Sequence, residues 1–123
     1  MEGVNFKEIL QEKMDELAHE IYRITKSFPQ DERYGLTSQI RRAAMSIVLN
    51  YIEGYSRFKP NVQINFYEIS YGSLKETKYL IKFCYKEELI NESDYPLLQN
   101  ITEEIGAMLW TELKALKNKQ SNK

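Results

Sequence analysis

The sequence predicts an all-α protein, an antiparallel up-down-up-down four-helix bundle. Apolar residues recur at spacings of three and four along four segments of roughly twenty residues, each then about 30 Å long as helix. Pro29, Pro60 and the run Asn91-Glu-Ser-Asp94 stand at the joints between these segments. The composition agrees, since 42% hydrophobic and 28% charged residues with three prolines and five glycines suit a soluble, helix-rich domain. A chain of 123 residues builds one core, so residues 1–117 read as a single domain and residues 118–123 as a mobile polar tail.

The first helix starts after Asn5, a good N-cap, and carries Leu10, Met14, Leu17, Ile21 and Ile24 as one seam between Phe6 and Phe28. Charged residues from Lys7 to Lys26 form its opposite, solvated face. Pro29 ends it, because proline cannot continue a helix and disfavours helical geometry in the residue before it. The second helix, capped by Thr37 and fraying near Arg57, has almost no continuous polar face. Leu36, Ile40, Ala43, Ala44, Ile47, Tyr51 and Tyr55 make one apolar stripe, and Met45, Val48, Leu49 and Ile52 a second beside it. The third helix begins at Pro60, a residue suited to a first turn. Its stripes are Val62, Phe66, Ile69, Ser73, Thr77, Leu80 and Cys84 on one side and Tyr67, Tyr71, Leu74, Ile81 and Tyr85 on the other. Gly72, inside that helix, is expected where another backbone approaches closely. The fourth helix follows the Asn91–Asp94 turn, with Leu98, Ile101, Ile105, Met108, Leu109, Leu113 and Leu116 inward and Trp110 at the edge. Two helices with double stripes have more apolar surface than one subunit covers. The expectation is a homo-oligomer with Met45, Val48, Leu49, Ile52, Tyr67, Tyr71 and Leu74 at the subunit interface.

No apolar run approaches the ~20 residues needed to cross a bilayer. Met1-Glu-Gly-Val-Asn5 lacks the basic-then-apolar order of a signal peptide, so a cytoplasmic protein without a membrane partner is expected. The single cysteine, Cys84, excludes an intrachain disulfide and sits among Leu80, Ile81 and Phe83 as a packing thiol. Net charge is −1, without the overall basic footprint of a dedicated nucleic-acid binder. Yet residues 33–59 hold five cations, Arg33, Arg41, Arg42, Arg57 and Lys59, against one carboxylate, Glu53. That segment is +4 and the remainder −5. A local basic patch survives in an acidic protein, because surface potential follows local charge.

Glu16-Leu-Ala-His19 has the Glu-x-x-His spacing of carboxylate-bridged di-iron bundles, but such sites need a second copy of the motif and His19 is the only histidine. No metal or other cofactor is expected. His19 and Cys84 would have to meet across the bundle to act as base and nucleophile, and no glycine-rich phosphate loop is present, so the chain reads as non-catalytic. Arg41-Arg42 is the stronger pattern: adjacent helical residues diverge by about 100°, so at least one escapes the core to meet phosphate or carboxylate. Salt bridges to Glu53, Glu68 or Glu76 are the competing use. Of the nine tyrosines, Tyr51, Tyr67 and Tyr71 repeat at helical spacing and read as core or interface.

The run Glu32-Arg-Tyr-Gly-Leu-Thr-Ser-Gln-Ile-Arg-Arg-Ala-Ala44, with Ser46, Asn50, Glu53-Gly54, Phe66, Gly72-Ser-Leu74 and Glu76, resembles the ribosomal RNA intervening-sequence proteins. These are small bacterial proteins, some encoded within insertions in 23S ribosomal RNA genes, and their family is similar to the accessory variability proteins of diversity-generating retroelements. The resemblance covers essentially the whole chain. It implies a four-helix bundle assembling into a ring-like homopentamer. It also implies ribosomal RNA or a reverse transcriptase as the partner, since the retroelement relatives bind nucleic acid and the reverse transcriptase through a basic surface. The chain departs from the family pattern at Val48, Leu49, Tyr51 and Ile52, where proline and small residues are usual. The expected function is a homo-oligomeric scaffold that binds RNA or a nucleoprotein through Arg33, Arg41, Arg42, Arg57 and Lys59. The alternative is a protein–protein adaptor, for example for a reverse transcriptase, without RNA affinity.

Overall fold

Asn5 adopts extended geometry and its Oδ1 accepts a 2.8 Å hydrogen bond from the Glu8 amide, so the first helix begins where its cap predicts. The structure, a computed structural model, describes residues 5–121. Residues 1–4, on which the leader reading partly rests, lie outside that range, as do residues 122 and 123. Helix α1 spans Phe6–Thr25 and buries Leu10, Met14, Leu17, Ile21 and Ile24, the expected seam. Phe6, at the open end, is instead exposed. After Pro29 the chain makes a short 3-10 turn, Gln30–Glu32, and a wide turn, Arg33–Thr37, kinked at Gly35.

Helix α2 spans Ser38–Tyr55, α3 spans Pro60–Lys86 and α4 spans Asp94–Ser121. Thr37 occupies the cap position of α2 but keeps helical dihedral angles and makes no capping bond, because the wide turn before it already runs into the helix. Asn91 does cap α4, its Oδ1 accepting from the Ser93 and Asp94 amides at 3.1 and 2.8 Å. The polar tail expected from residue 118 is helical as far as Ser121, whose hydroxyl donates to the Lys117 carbonyl. Lys and Gln in this last turn are good helix formers, so nothing in the sequence stops the helix there. Each helix packs on its chain neighbour, and α4 closes on α1. The fold is thus all-α, with four helices around one core and no strand among the described residues.

Tyr51 and Tyr67 are the largest fully buried side chains, stacked with ring centroids 5.0 Å apart. Their polar ends converge on one junction. The Tyr51 hydroxyl donates to Glu112, and the Lys7 ammonium reaches both Glu112 at 2.7 Å and the Tyr67 hydroxyl at 3.3 Å. Burial, together with the Glu112 bond, raises the Tyr51 pKa. Gly54 makes the stack possible: a Cβ there would lie 2.5 Å from the Tyr67 ring. Gly72 is different. A Cβ there would meet nothing within 4 Å, so the close backbone approach expected at this glycine does not occur within the subunit. The α2–α3 contact is made one residue later, where the Ser46 and Ser73 hydroxyls lie 2.7 Å apart and Ser70 donates to the Ile47 carbonyl.

Two substitutions separate these constraints. Gly54→Ala forces the Tyr67 ring to move and is expected to destabilise the fold by about 1–3 kcal/mol. Glu88, beyond the end of α3, holds a left-handed φ of 63°, so Glu88→Gly is expected to stabilise by about 1 kcal/mol. Urea denaturation should order the midpoints Glu88→Gly, wild type, Gly54→Ala; any other order contradicts this packing.

Candidate nucleic-acid interface

The turn after α1 folds back beside the start of α2, and this places basic residues from three consecutive segments around one groove. Lys26 comes from the end of α1, Arg33 from the wide turn, and Arg41 and Arg42 from the first turns of α2. The groove encloses about 650 Å³, and no carboxylate lines it. Arg41 is fixed in place. Its guanidinium carbon lies 4.4 Å from the centroid of the Tyr22 ring, and its Nε donates at 2.8 Å to the Thr25 hydroxyl. Thr25 in turn donates to the Ile21 carbonyl, so the last turn of α1 orients an arginine of α2.

The expected salt bridges go elsewhere. Glu53 pairs with Arg57 at 2.5 Å along the same helix end, and Glu68 pairs with Lys117 at 3.1 Å. Among the described residues neither Arg41 nor Arg42 forms an ion pair with a carboxylate. The five basic residues read as one patch are therefore divided. Arg33, Arg41 and Arg42 share the groove, whereas Arg57 and Lys59 lie at the far end of α2, roughly 24 Å away at 1.5 Å per residue. Arg57 covers the Phe66 ring there, 5.3 Å from its centroid. Sequence spacing missed Lys26, which reads as part of a solvated face. The signal was its position just before the Pro29 break, where the chain must reverse.

The residues expected at a subunit interface also divide. Val48, Tyr67 and Leu74 lie in the subunit's own core, because α2 and α3 turn these stripes toward each other and toward α4; they are not available to a second copy. Met45, Ile52 and Tyr71 are half-buried, and Leu49 is 53% exposed. Ile69, placed on an inward stripe by its spacing, is instead 45% exposed.

The remaining chemistry is sparse. His19 is exposed with Nε2 3.4 Å from Asp15, and no cluster of three or more potential metal ligands occurs among the described residues. Cys84 is fully buried, and burial pushes its thiol up to about 11. No helix among the described residues is long and apolar enough to cross a membrane.

Comparison with known families then decides the relationship. The family model for the 23S rRNA-intervening sequence protein matches residues 7–111. The chain belongs to this family. Its fold is similar to the crystal structure of a protein with unknown function from the S23 ribosomal protein family of Bacteroides thetaiotaomicron VPI-5482. That protein is 23% identical, and the match covers 89% of this chain and 99% of the other with a TM-score of 0.82. At that identity the likeness extends to the fold. A search of curated proteins found no match. The Gln39-Ile-Arg-Arg-Ala-Ala44 run that carried the family resemblance contains two of the four groove cations.

The Cys84 environment gives a prediction with a definite sign. Its folded pKa is raised from 9.0 to about 11, so the stability from keeping the neutral thiol buried is complete below pH 9 and lost as pH rises through 11. Urea unfolding should show wild type losing stability over this window, and Cys84→Ala losing less of it. In the native state at pH 8 the thiol should resist a disulfide reagent that reacts at once in urea.

Proposed function

We propose that the protein is a non-catalytic, homo-oligomeric helical scaffold that binds RNA, or a nucleoprotein carrying it, through the groove between α1 and α2. The observation that carries this reading is four cations around a concave surface with no carboxylate among them. Arginine is the side chain suited to such a task, since its planar fork meets phosphate oxygens in pairs and stays charged at every relevant pH. Membership of a family named for an intervening sequence in 23S ribosomal RNA supports RNA as the polyanion. Short connections and packing between chain neighbours support the antiparallel up-down-up-down order.

The oligomer is proposed on a narrower surface than the sequence suggested. Leu49 on α2 and Ile69 on α3 are large, exposed and apolar, with Met45, Ile52 and Tyr71 half-buried. Gly72 is an exposed glycine in a long helix, which nothing inside the subunit requires. A second copy of the chain approaching there supplies the missing reason, and a ring of five is the form implied by the family resemblance. Ring symmetry would multiply a weak groove into a strong one, because linked contacts raise avidity without new chemistry.

Light scattering should give a multiple of the 14.6 kDa subunit for wild type and a smaller particle for Leu49→Glu. A wild-type monomer at micromolar concentration would reject the scaffold as an oligomer. For RNA, anisotropy titrations at low and at physiological salt should show affinity falling steeply as counterions compete. Arg33→Ala/Arg42→Ala should weaken binding and flatten the salt dependence more than Arg57→Ala/Lys59→Ala does. No RNA binding at low salt would favour the adaptor reading, in which a protein partner such as a reverse transcriptase docks instead.

A further inference from the structure

Within the basic groove, one tyrosine stands where the folded chain gains nothing from it. Tyr34 lines the groove and is 90% exposed, and it stacks on no other aromatic ring or cation among the described residues. Tyr22 lines the same groove, its ring already carrying the Arg41 guanidinium. Apolar area of this kind is normally withdrawn from water, since burial is what a large ring contributes to a fold. Its neighbours are instead Arg33, Arg42 and Lys26.

We propose that the groove takes an unpaired strand of nucleic acid, with a base stacked on Tyr34 and the adjoining phosphates held by Arg33, Arg42 and Lys26. This deepens the RNA-binding reading and rests on it. Interleaved aromatic faces and cations are the chemistry of single-strand recognition, because every base has a face to stack while the backbone carries one charge per nucleotide. A duplex hides its base faces and is read by shape and by its backbone. A concave groove of about 650 Å³ fits an everted base and its sugar, not the convex side of a helix. Arg41 has a positioning role here. Held 4.4 Å over the Tyr22 ring with Nε engaged by Thr25, it keeps a planar cation at the groove wall, on which a second base can stack as it would on an aromatic ring.

The test uses the full chain and three labelled probes: a twelve-nucleotide unpaired RNA, the same length of RNA in a hairpin stem, and a single-stranded DNA of the first sequence. Wild type is expected to bind the unpaired RNA more tightly than the stem. Tyr34→Ala should weaken the unpaired RNA about tenfold with its salt dependence unchanged, and Tyr34→Phe should retain affinity. Arg33→Ala/Arg42→Ala should flatten the salt dependence by about 0.7 in the log–log slope for each phosphate left without its arginine. Because Tyr34 is exposed, its loss leaves the fold intact, and unchanged circular dichroism and particle size confirm this. Weaker DNA binding assigns the strand as RNA and equal binding admits either sugar; both support an unpaired strand. Equal or tighter binding of the stem, or unchanged affinity in Tyr34→Ala, overturns this inference while leaving a basic RNA-binding groove. Failure of every probe to bind removes the RNA reading itself.

Discussion

The junction of Tyr51, Tyr67, Lys7 and Glu112 takes one polar group from each helix, and the orientation of all four depends on it. Glu112 is the demanding member. Its side chain is 13% exposed, and a carboxylate withdrawn so far from water costs several kcal/mol unless its oxygens are bonded. The Tyr51 hydroxyl satisfies one oxygen and the Lys7 ammonium the other. Burial is the largest single influence on Lys7 and works against its charge, but the bond to Glu112, the Glu112 charge and the Tyr67 hydroxyl together outweigh it and the pKa rises. Rotating any one helix would break this set. Exposed pairs such as Lys78–Glu103 impose no comparable constraint, being worth about 0–1 kcal/mol each in general. Most of the stability comes from the core side chains, at about 1.5–3 kcal/mol apiece. The junction selects which arrangement of that core is adopted.

Fixing α2 by its tyrosine at one end determines what its other end presents. The Ser46–Ser73 hydroxyl pair and the bond that Ser70 donates to the Ile47 carbonyl hold the middle of the helix against α3, so α2 cannot roll. Ala43, Ala44 and Ile47 then face inward, and Arg41 and Arg42 are carried to the margin beside α1. The groove is a by-product of that rotation together with the chain reversal at Pro29. Every buried side-chain nitrogen and oxygen among the described residues has a partner, so the unengaged polar groups of the protein are concentrated on such margins.

Charge follows the same logic. A net charge of −1 conceals a groove with four cations and no acid among its lining residues. Glu8, Glu12 and Asp15 collect on α1, well up the helix from Lys26. Such a separation steers a polyanion to one face and repels it from the next, which net charge alone does not express.

Four helices, their joints and most of their inward residues were determined by the sequence, because helical spacing and proline act through neighbours a few positions away. The seam of α1, the start of α3 at Pro60 and the buried Cys84 follow from local pattern. The family was legible for a related reason: the densest part of its motif sits on α2, whose Ile40, Ala43, Ala44 and Ile47 are held between α1 and α3. Only the tertiary structure decided which of two adjacent stripes is covered. Val48, Tyr67 and Leu74 turned inward while Leu49 and Ile69 stayed in water, since one subunit covers only one of two adjacent stripes and the rotation that selects it is set by contacts such as Tyr51 with Glu112. The groove belongs to the same category. Lys26 and Arg42 are sixteen residues apart in the chain, and the physical reason they share a surface is the reversal between α1 and α2, locked by Arg41 lying on Tyr22.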